Sequence, residues 1–596
     1  MTRTRIGLLL AIVALGGCGG AREAVQLPGT AANQRPPLAE VDIVDIALLV
    51  KLEDTRQFDE VALARLLQSK HPEVKRRAVV AVGRIADPRG GVLLQPLRRD
   101  ENPEIVATVA FATGQLKDPA GVAWLAQMLL ANPNTGVAFE AARGLGKIRT
   151  PEAWKALAQY LTNATRGAAT EGVVGEALLS MGRYTTREDL APIVKWTTPT
   201  TSPEVRWRAA WALFRPRNPA AVPHLLKLSE DASPDVRFWA MRGLALPPAP
   251  TSTPPPGTAP PVEPAAVVVD RAATAARLRA GTKDTDRRVR TEALRALDGY
   301  DDEESFGVVL AALEDPDTWL SVSAAELLGR HKGRVGQVAP RLAAATASSK
   351  PAALRLTAFT PLTQLAPPLA LDAAATLLRD PSLAIRTSAT QALRRMGPIG
   401  QQFLDQLATD PTMKDLLIPA APAAGGRQGG AAAPAHPVPA PTDADYRAIV
   451  ERWIVPAYNG APAPRAVWTT PKGEIELELY PGESPLGMEE FVRLTESGAI
   501  VGTVFSRVVP NFVAQQATIR GANRLRDEVS RLGLTRGNLA WASSGLDTGR
   551  AGYTLGSTPQ PHNEGDFTAL GRVVRGMDVV DHLDMGDAVT AARMVR

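Results

Sequence analysis

Hydrophobic and polar positions along the first two thirds of the chain fall into short helical units, most of them opened by a proline. His71-Pro72-Glu73-Val74-Lys75-Arg76-Arg77-Ala78 continues into Ala81-Val82-Gly83-Arg84-Ile85. The pattern returns at Asn102-Pro103-Glu104-Ile105, Asn132-Pro133, Ser202-Pro203-Glu204-Val205-Arg206, Ser233-Pro234-Asp235-Val236-Arg237, Asp286-Arg287-Arg288-Val289-Arg290, Asp315-Pro316-Asp317, Lys350-Pro351 and Asp380-Pro381. A weaker copy surrounds Ala177, Leu178 and Gly182. Most copies recur about every 30–36 residues, the period of a solenoid built from stacked helices. Asp, Asn or Ser caps most of these helices, and proline and an acid suit the first turn, which has a spare N–H position and a positive dipole end. Valine and the alanines then form the apolar stripe, and small residues let neighbouring helices approach closely.

The pattern changes twice. Residues 247–266 are a proline-rich insertion and 413–443 an Ala/Pro/Gly linker, neither of which can pack as helix. Residues 444–466 then read as a lead-in helix and connector. From Val467 the apolar spacing becomes two, as in Glu474-Ile475-Glu476-Leu477-Glu478-Leu479-Tyr480, which predicts a half-buried strand. Pro485–Leu494 reads as an amphipathic helix, and Gly502-Thr503-Val504-Phe505 opens a further strand. Strand, helix and strands joined by glycine-rich turns predict a small closed β-barrel over residues 467–596, after an all-α rod over 40–412.

Trp207, Trp211 and Trp239 fall at helical spacing in successive units. Either they pack between repeats or they line an exposed groove, and spacing of four favours the core. Arg206 and Arg237 read as a solvated ridge.

Composition narrows the function. The 596 residues carry 67 basic and 62 acidic side chains, net +5, with no basic block interleaved with aromatics, so nucleic acid is not an expected partner. The six histidines, at 71, 224, 331, 436, 562 and 582, form no spaced metal set, and no cofactor is expected. Met1-Thr2-Arg3-Thr4-Arg5 followed by the apolar run Ile6–Leu15 has the form of an export signal over residues 1–17, too short to span a bilayer. Leu15-Gly16-Gly17-Cys18 resembles a bacterial lipobox, with Cys18, the single cysteine, as the lipidated residue at the head of a tether over 18–39. An ordinary signal with an incidental cysteine is the alternative. Acylation of Cys18 implies a chain anchored in the bacterial envelope and facing the periplasm or exterior, and Gly19 in place of an aspartate points to the outer membrane.

Two resemblances give these segments a function. The proline-opened units resemble HEAT-like repeats, which implies a curved rod that docks protein partners. Residues 472–581 resemble the cyclophilin family of peptidyl-prolyl isomerases in the order Glu474–Tyr480, Pro485–Leu494, Phe505–Gln515, Gly537–Gly545, Ser557–Asn563 and Gly571–Val580. The resemblance implies that Arg507 is the catalytic arginine and that Gln515 orients it or the substrate carbonyl. It also implies that Phe512 floors the proline pocket, that Val513 and Phe567 wall it and that His562 sits on its rim. Ala542 and Ser543 take the positions that exchange backbone bonds with a proline-containing client. The chain departs from the family pattern at Ser506, where histidine is usual, at Gln516-Ala517-Thr518, at Gly552 in place of a glutamine and at Thr554 in place of a pocket phenylalanine. Losing a ring removes about 1–3 kcal/mol of apolar contact, roughly one to two decades of rate if lost in the transition state. The expectation is a weakened isomerase for exported clients. The alternative is a non-catalytic scaffold whose barrel grips extended peptides and whose rod binds partners.

Overall fold

The computed structural model describes residues 35–184, 189–245, 270–300, 302–413, 416–417, 441–523, 525–549 and 552–595. The expected signal, Cys18, the insertion at 247–266 and nearly all of the linker lie outside these residues.

Helices follow one another from Glu40–Thr55 to Pro398–Ala408. Those that open each unit stack side by side as one layer: Pro72–Ile85, Pro103–Leu116, Thr135–Ile148, Ala168–Met181, Pro203–Phe214, Pro234–Gly243, Arg287–Ala296, Thr318–Leu328, Ala352–Leu365 and Leu383–Arg395. Shorter helices such as Val122–Ala131 and Pro151–Asn163 back them on the other side. Helix Ala168–Met181 fills the interval between Pro133 and Pro203 without an opening proline. Trp207, Trp211 and Trp239 are buried between repeats, with the Trp207 and Trp239 rings stacked 6.3 Å apart.

Arg206 and Arg237 are not a solvated ridge. Arg206 reaches Asp231 of the next unit at 2.7 Å, and Arg237 reaches Asp284 at 2.8 Å. Lys75–Asp100, Arg290–Asp317 and Arg355–Asp380 repeat the contact along the rod. Asp100, Asp231, Asp284 and Asp380 also accept the backbone N–H two residues on, so each carboxylate fixes a turn while holding the preceding helix. This ladder sets the spacing between units, and the alanines fill what lies beneath it.

The C-terminal domain is an eight-stranded antiparallel sheet. Its strands are β1 (Arg465–Thr470), β2 (Gly473–Leu479), β3 (Phe505–Val509), β4 (Val513–Gln516), β5 (Asn538–Trp541), β6 (Tyr553–Gly556), β7 (Ala569–Arg575) and β8 (Ala591–Val595). They lie in the order β3-β4-β6-β5-β7-β2-β1-β8. Trp468, Phe491, Phe505 and Tyr553 fill its core, Phe491 coming from the helix Pro485–Glu496. The expected closed barrel is instead a curled half-barrel. Its edges β3 and β8 form no ladder and meet only near the Val504–Ala588 bridge, where Gly502 N donates to Val589 O at 2.8 Å. A bulge at Ser506 follows at once and bends β3 away.

The two parts are docked rather than held apart. The lead-in helix Asp443–Ile449 returns to the first helix, where Tyr446 Oη donates to Asp54 at 2.6 Å. Arg84, buried on the rod, donates to Glu53 at 2.6 Å and to the backbone oxygens of Val529 at 2.8 Å and Glu483 at 2.7 Å. In the opposite direction Arg531 of the β domain enters the rod, with Nη1 on Glu104 at 2.6 Å and Nε on Glu140 at 3.0 Å. Arg56–Asp547, Lys147–Asp566 and the bond from Arg287 to Asp581 O extend the seam. Glu528, buried at this seam, accepts the amides of Leu486 at 3.1 Å and Gly487 at 2.8 Å. Burial lifts its carboxyl to about 7, against the pull of Arg84.

Two outcomes follow. Asp231→Ala strands a buried guanidinium and lowers stability by about 3–5 kcal/mol, read as a fall in denaturant midpoint, whereas a surface pair would cost under about 1 kcal/mol. For Glu528 the folded carboxyl binds its proton more tightly than an unfolded one at about 4.5. The penalty is therefore full above pH 7 and is relieved as pH falls from 7 towards 4.5. The stability of wild type relative to Glu528→Gln rises by about 2 kcal/mol between pH 8 and pH 5 in melting experiments; a flat difference contradicts the assignment.

Candidate active site

The β3–β4 hairpin carries the site, and its register explains why these side chains meet. The Ser506 bulge lets Phe505, fully buried, face the core while Arg507, two residues on, faces outward; without it the two would share a face. Arg507 pairs with Gln515 on β4, Gln515 with Thr554 on β6, and Thr554 with Ala540 on β5. Four neighbouring strands thus place Arg507, Gln515, Thr554 and Ala540 in one row on one face.

Within that row Arg507 Nη1 donates to Gln515 Oε1 at 3.2 Å. The Arg507 guanidinium carbon stands 5.6 Å from the centre of the Phe512 ring. On its other flank Phe512 stacks with His562, ring centres 6.0 Å apart and planes 26° apart. Arg507 is exposed, Phe512, Gln515 and His562 are half-buried, and Val513 is buried beneath them, paired with Gly556. A guanidinium held by an amide beside a half-open aromatic face can present an N–H donor to a ligand seated on that ring.

Other expected residues sit further out. Phe567 packs with Leu534, Ala540 and Ala569, one strand beyond Thr554. The Ala542 N–H is already donated to Gly552 O at 2.8 Å. The Ser543 hydroxyl is engaged within its own loop, with Gly545 O and with Thr548 at 3.0 Å. Thr554 Oγ1 donates to Ala540 O at 3.3 Å, so its polar atom is tied to the sheet. Gly552 lies so close to the neighbouring chain that a Cβ would stand 2.9 Å from Gln516 O and 3.0 Å from Ala517 O, so a side chain there requires that backbone to shift.

The turn that delivers Phe512 depends on the rod. Asn511 takes a left-handed conformation, φ +59°, and is 1% exposed. Its Nδ2 donates to Glu292 Oε1 at 2.8 Å and to Arg288 O at 2.9 Å, both on helix Arg287–Ala296. Arg295 of the same helix donates to Pro510 O at 2.9 Å. Sequence reasoning missed Glu292, Arg288 and Arg295, because nothing local marks a partner 219 residues away from Asn511. The proline–asparagine pair at the hairpin tip was the available signal. His562 also faces the rod: burial, with the positive charges of Arg215, Arg242 and Arg183, lowers its pKa to about 4, so the imidazole is neutral at pH 7.

Comparison with known proteins agrees with this geometry. The family "Cyclophilin type peptidyl-prolyl cis-trans isomerase/CLD" matches residues 466–596. Peptidyl-prolyl cis-trans isomerase B of Bacillus subtilis is 31% identical over 129 residues, 20% of this chain and 90% of that protein. The C-terminal domain belongs to the cyclophilin-type peptidyl-prolyl isomerases. A Helicobacter pylori peptidyl-prolyl cis-trans isomerase is 32% identical over 130 residues, 20% of this chain and 80% of that protein. One from Synechococcus elongatus is 28% identical over 139 residues, 22% and 96% of the respective chains. The HEAT repeat family matches residues 91–178 and 190–255, within the rod. The chain therefore carries a cyclophilin-type isomerase domain on a HEAT-repeat rod.

Proposed function

We propose that this chain rotates X–Pro bonds in exported polypeptides while tethered to the cell envelope through an acylated Cys18. The observation that carries the catalytic part is the Arg507 guanidinium set 5.6 Å over the Phe512 ring and held by Gln515 at 3.2 Å. Amide resonance holds the prolyl bond with a barrier of about 18–20 kcal/mol. With a proline ring on Phe512, an N–H of Arg507 points at the prolyl nitrogen as it pyramidalises, and this donor stabilises the twisted state more than either planar one. Uncatalysed rotation takes tens of seconds or more, slow enough to limit folding. The envelope location is supported by the basic and apolar run before Cys18. Among the described residues no helix is long and apolar enough to cross a membrane, so on this reading anchoring falls to the lipid.

Thr554 favours a second reading, a peptide-gripping scaffold with little turnover, because its hydroxyl is bonded to Ala540 O and it offers the proline no ring. A protease-coupled proline-peptide assay on the full chain separates the two. Removing such a donor costs roughly 10²–10³ in rate. Turnover by wild type that falls by about two decades in Arg507→Ala supports the enzyme; equal rates in the two chains leave only the scaffold.

A further inference from the structure

The rod carries a cationic row at the rim of the proline pocket. Three stacked helices, Ala168–Met181, Pro203–Phe214 and Pro234–Gly243, end side by side. A Cβ at Gly182 would stand 2.2 Å from Cζ3 of Trp211, and one at Gly243 would stand 3.1 Å from Cβ of Phe214. An arginine stands at or beside each end, Arg183, Arg215 and Arg242, with Arg217 two residues beyond Arg215. Aromatic rings hold two of them in place, Arg215 lying 5.5 Å from Trp211 and Arg242 5.5 Å from Trp239 and 5.7 Å from Phe214.

The row reaches the site through Glu292. One oxygen of this carboxylate lies 3.8 Å from Arg242 Nε, and the other takes the Asn511 amide at 2.8 Å, next to Phe512. From the other side, the loop bearing His562 is pinned to the rod where Lys147 meets Asp566 at 2.8 Å. Phe512 and His562 stack on each other, and the positive charges of all three arginines act on the His562 ring, so the row faces the pocket rim.

The charges are only partly compensated: Arg242 shares Glu292, and the buried Glu176 acts on Arg183 through space without bonding it. Among the described residues Arg183 and Arg215 have no hydrogen-bond or ion-pair partner, and Nε and Nη2 of Arg183 are buried without one. Glu292 is shared with Arg295 at 3.7 Å as well as with Asn511. Helix C-termini favour cations, which accounts for an arginine at each end. It does not account for buried guanidinium nitrogens left unbonded, which is costly unless a ligand supplies the acceptor. His562 adds no further charge at neutral pH, since burial and the three arginines keep it neutral. An anion entering with the client would supply the acceptor that the Arg183 nitrogens lack.

We propose that Arg183, Arg215 and Arg242 form a carboxylate-recognising wall of the isomerase site, selecting client segments that carry an aspartate or glutamate close to the proline. Planar guanidiniums suit a carboxylate because they offer paired N–H donors. The proposal rests on the reading of this site as the client site, and it deepens that reading by naming the substrate class.

The test uses the full chain and a set of six-residue peptides around an Ala-Pro core. Each carries one glutamate at a different flanking position, and each has a glutamine counterpart. Binding is measured by titration, and kcat/KM by the coupled assay. At 50 mM salt, glutamate at one or more positions is preferred by about tenfold, and the preference shrinks towards parity at 0.5 M salt. It disappears in the chain carrying R183Q, R215Q and R242Q. A wild-type ratio below twofold at every position overturns the proposal, as does a ratio that survives the three substitutions. The salt series on wild type decides the matter if the substituted chain does not fold. Peptides that bind with this preference but are not turned over sink the isomerase reading and leave the wall standing; peptides turned over without preference do the reverse.

Discussion

Helix Arg287–Ala296 grips the tip of the β3–β4 hairpin, and the arrangement of the site follows from that grip. A buried asparagine amide needs partners for its donors, and Asn511 finds both on the rod, in Glu292 and the backbone of Arg288. With Pro510 O held by Arg295, the tip is fixed in its left-handed turn. The tip sets the register of the hairpin, and the register sets Arg507 opposite Gln515 with Phe512 alongside. The rod is therefore part of the site and not a spacer beneath it.

The seam between rod and isomerase domain is built largely of charge. Arg84 and Arg531 cross it in opposite directions, each buried and each satisfied by carboxylates or carbonyl oxygens on the far side. Such pairs add little net stability over apolar packing, but a displaced partner leaves a bare buried charge. They fix where the domain sits more than how tightly it is held. Apolar contacts supply the rest: Leu486 joins the cluster of Leu49, Val74 and Tyr446, and Met585 packs against the core of the rod.

Regular spacing made much of this legible. The proline-opened units are helices, and the alternation at Glu474–Tyr480 is strand β2, because each pattern reports a local period of three to four or of two. What escaped the sequence was contact between distant residues. Arg206 and Arg237 read as solvated because a lone arginine usually is; their partners, Asp231 and Asp284, stand 25 and 47 residues further on. Barrel closure failed at a single inserted residue, Ser506, which alternation cannot reveal. Gly552 read as the loss of a contact residue, yet the nearness of Gln516 O and Ala517 O gives glycine a packing reason of its own. The resemblance placed Arg507, Gln515 and Phe512 together, but no motif could show that their turn hangs from a helix of the rod.

Hydrogen exchange at the hairpin tip tests that dependence most directly. In the full chain the Phe512 and Val513 amides exchange slowly. Replacing Glu292 and Arg295 together by alanine speeds them by at least about tenfold, a local opening of about 1.4 kcal/mol, while the amides of the β1–β2 ladder are unmoved. Hairpin exchange identical in the two chains would mean that the isomerase domain forms its site alone and that the rod merely carries it.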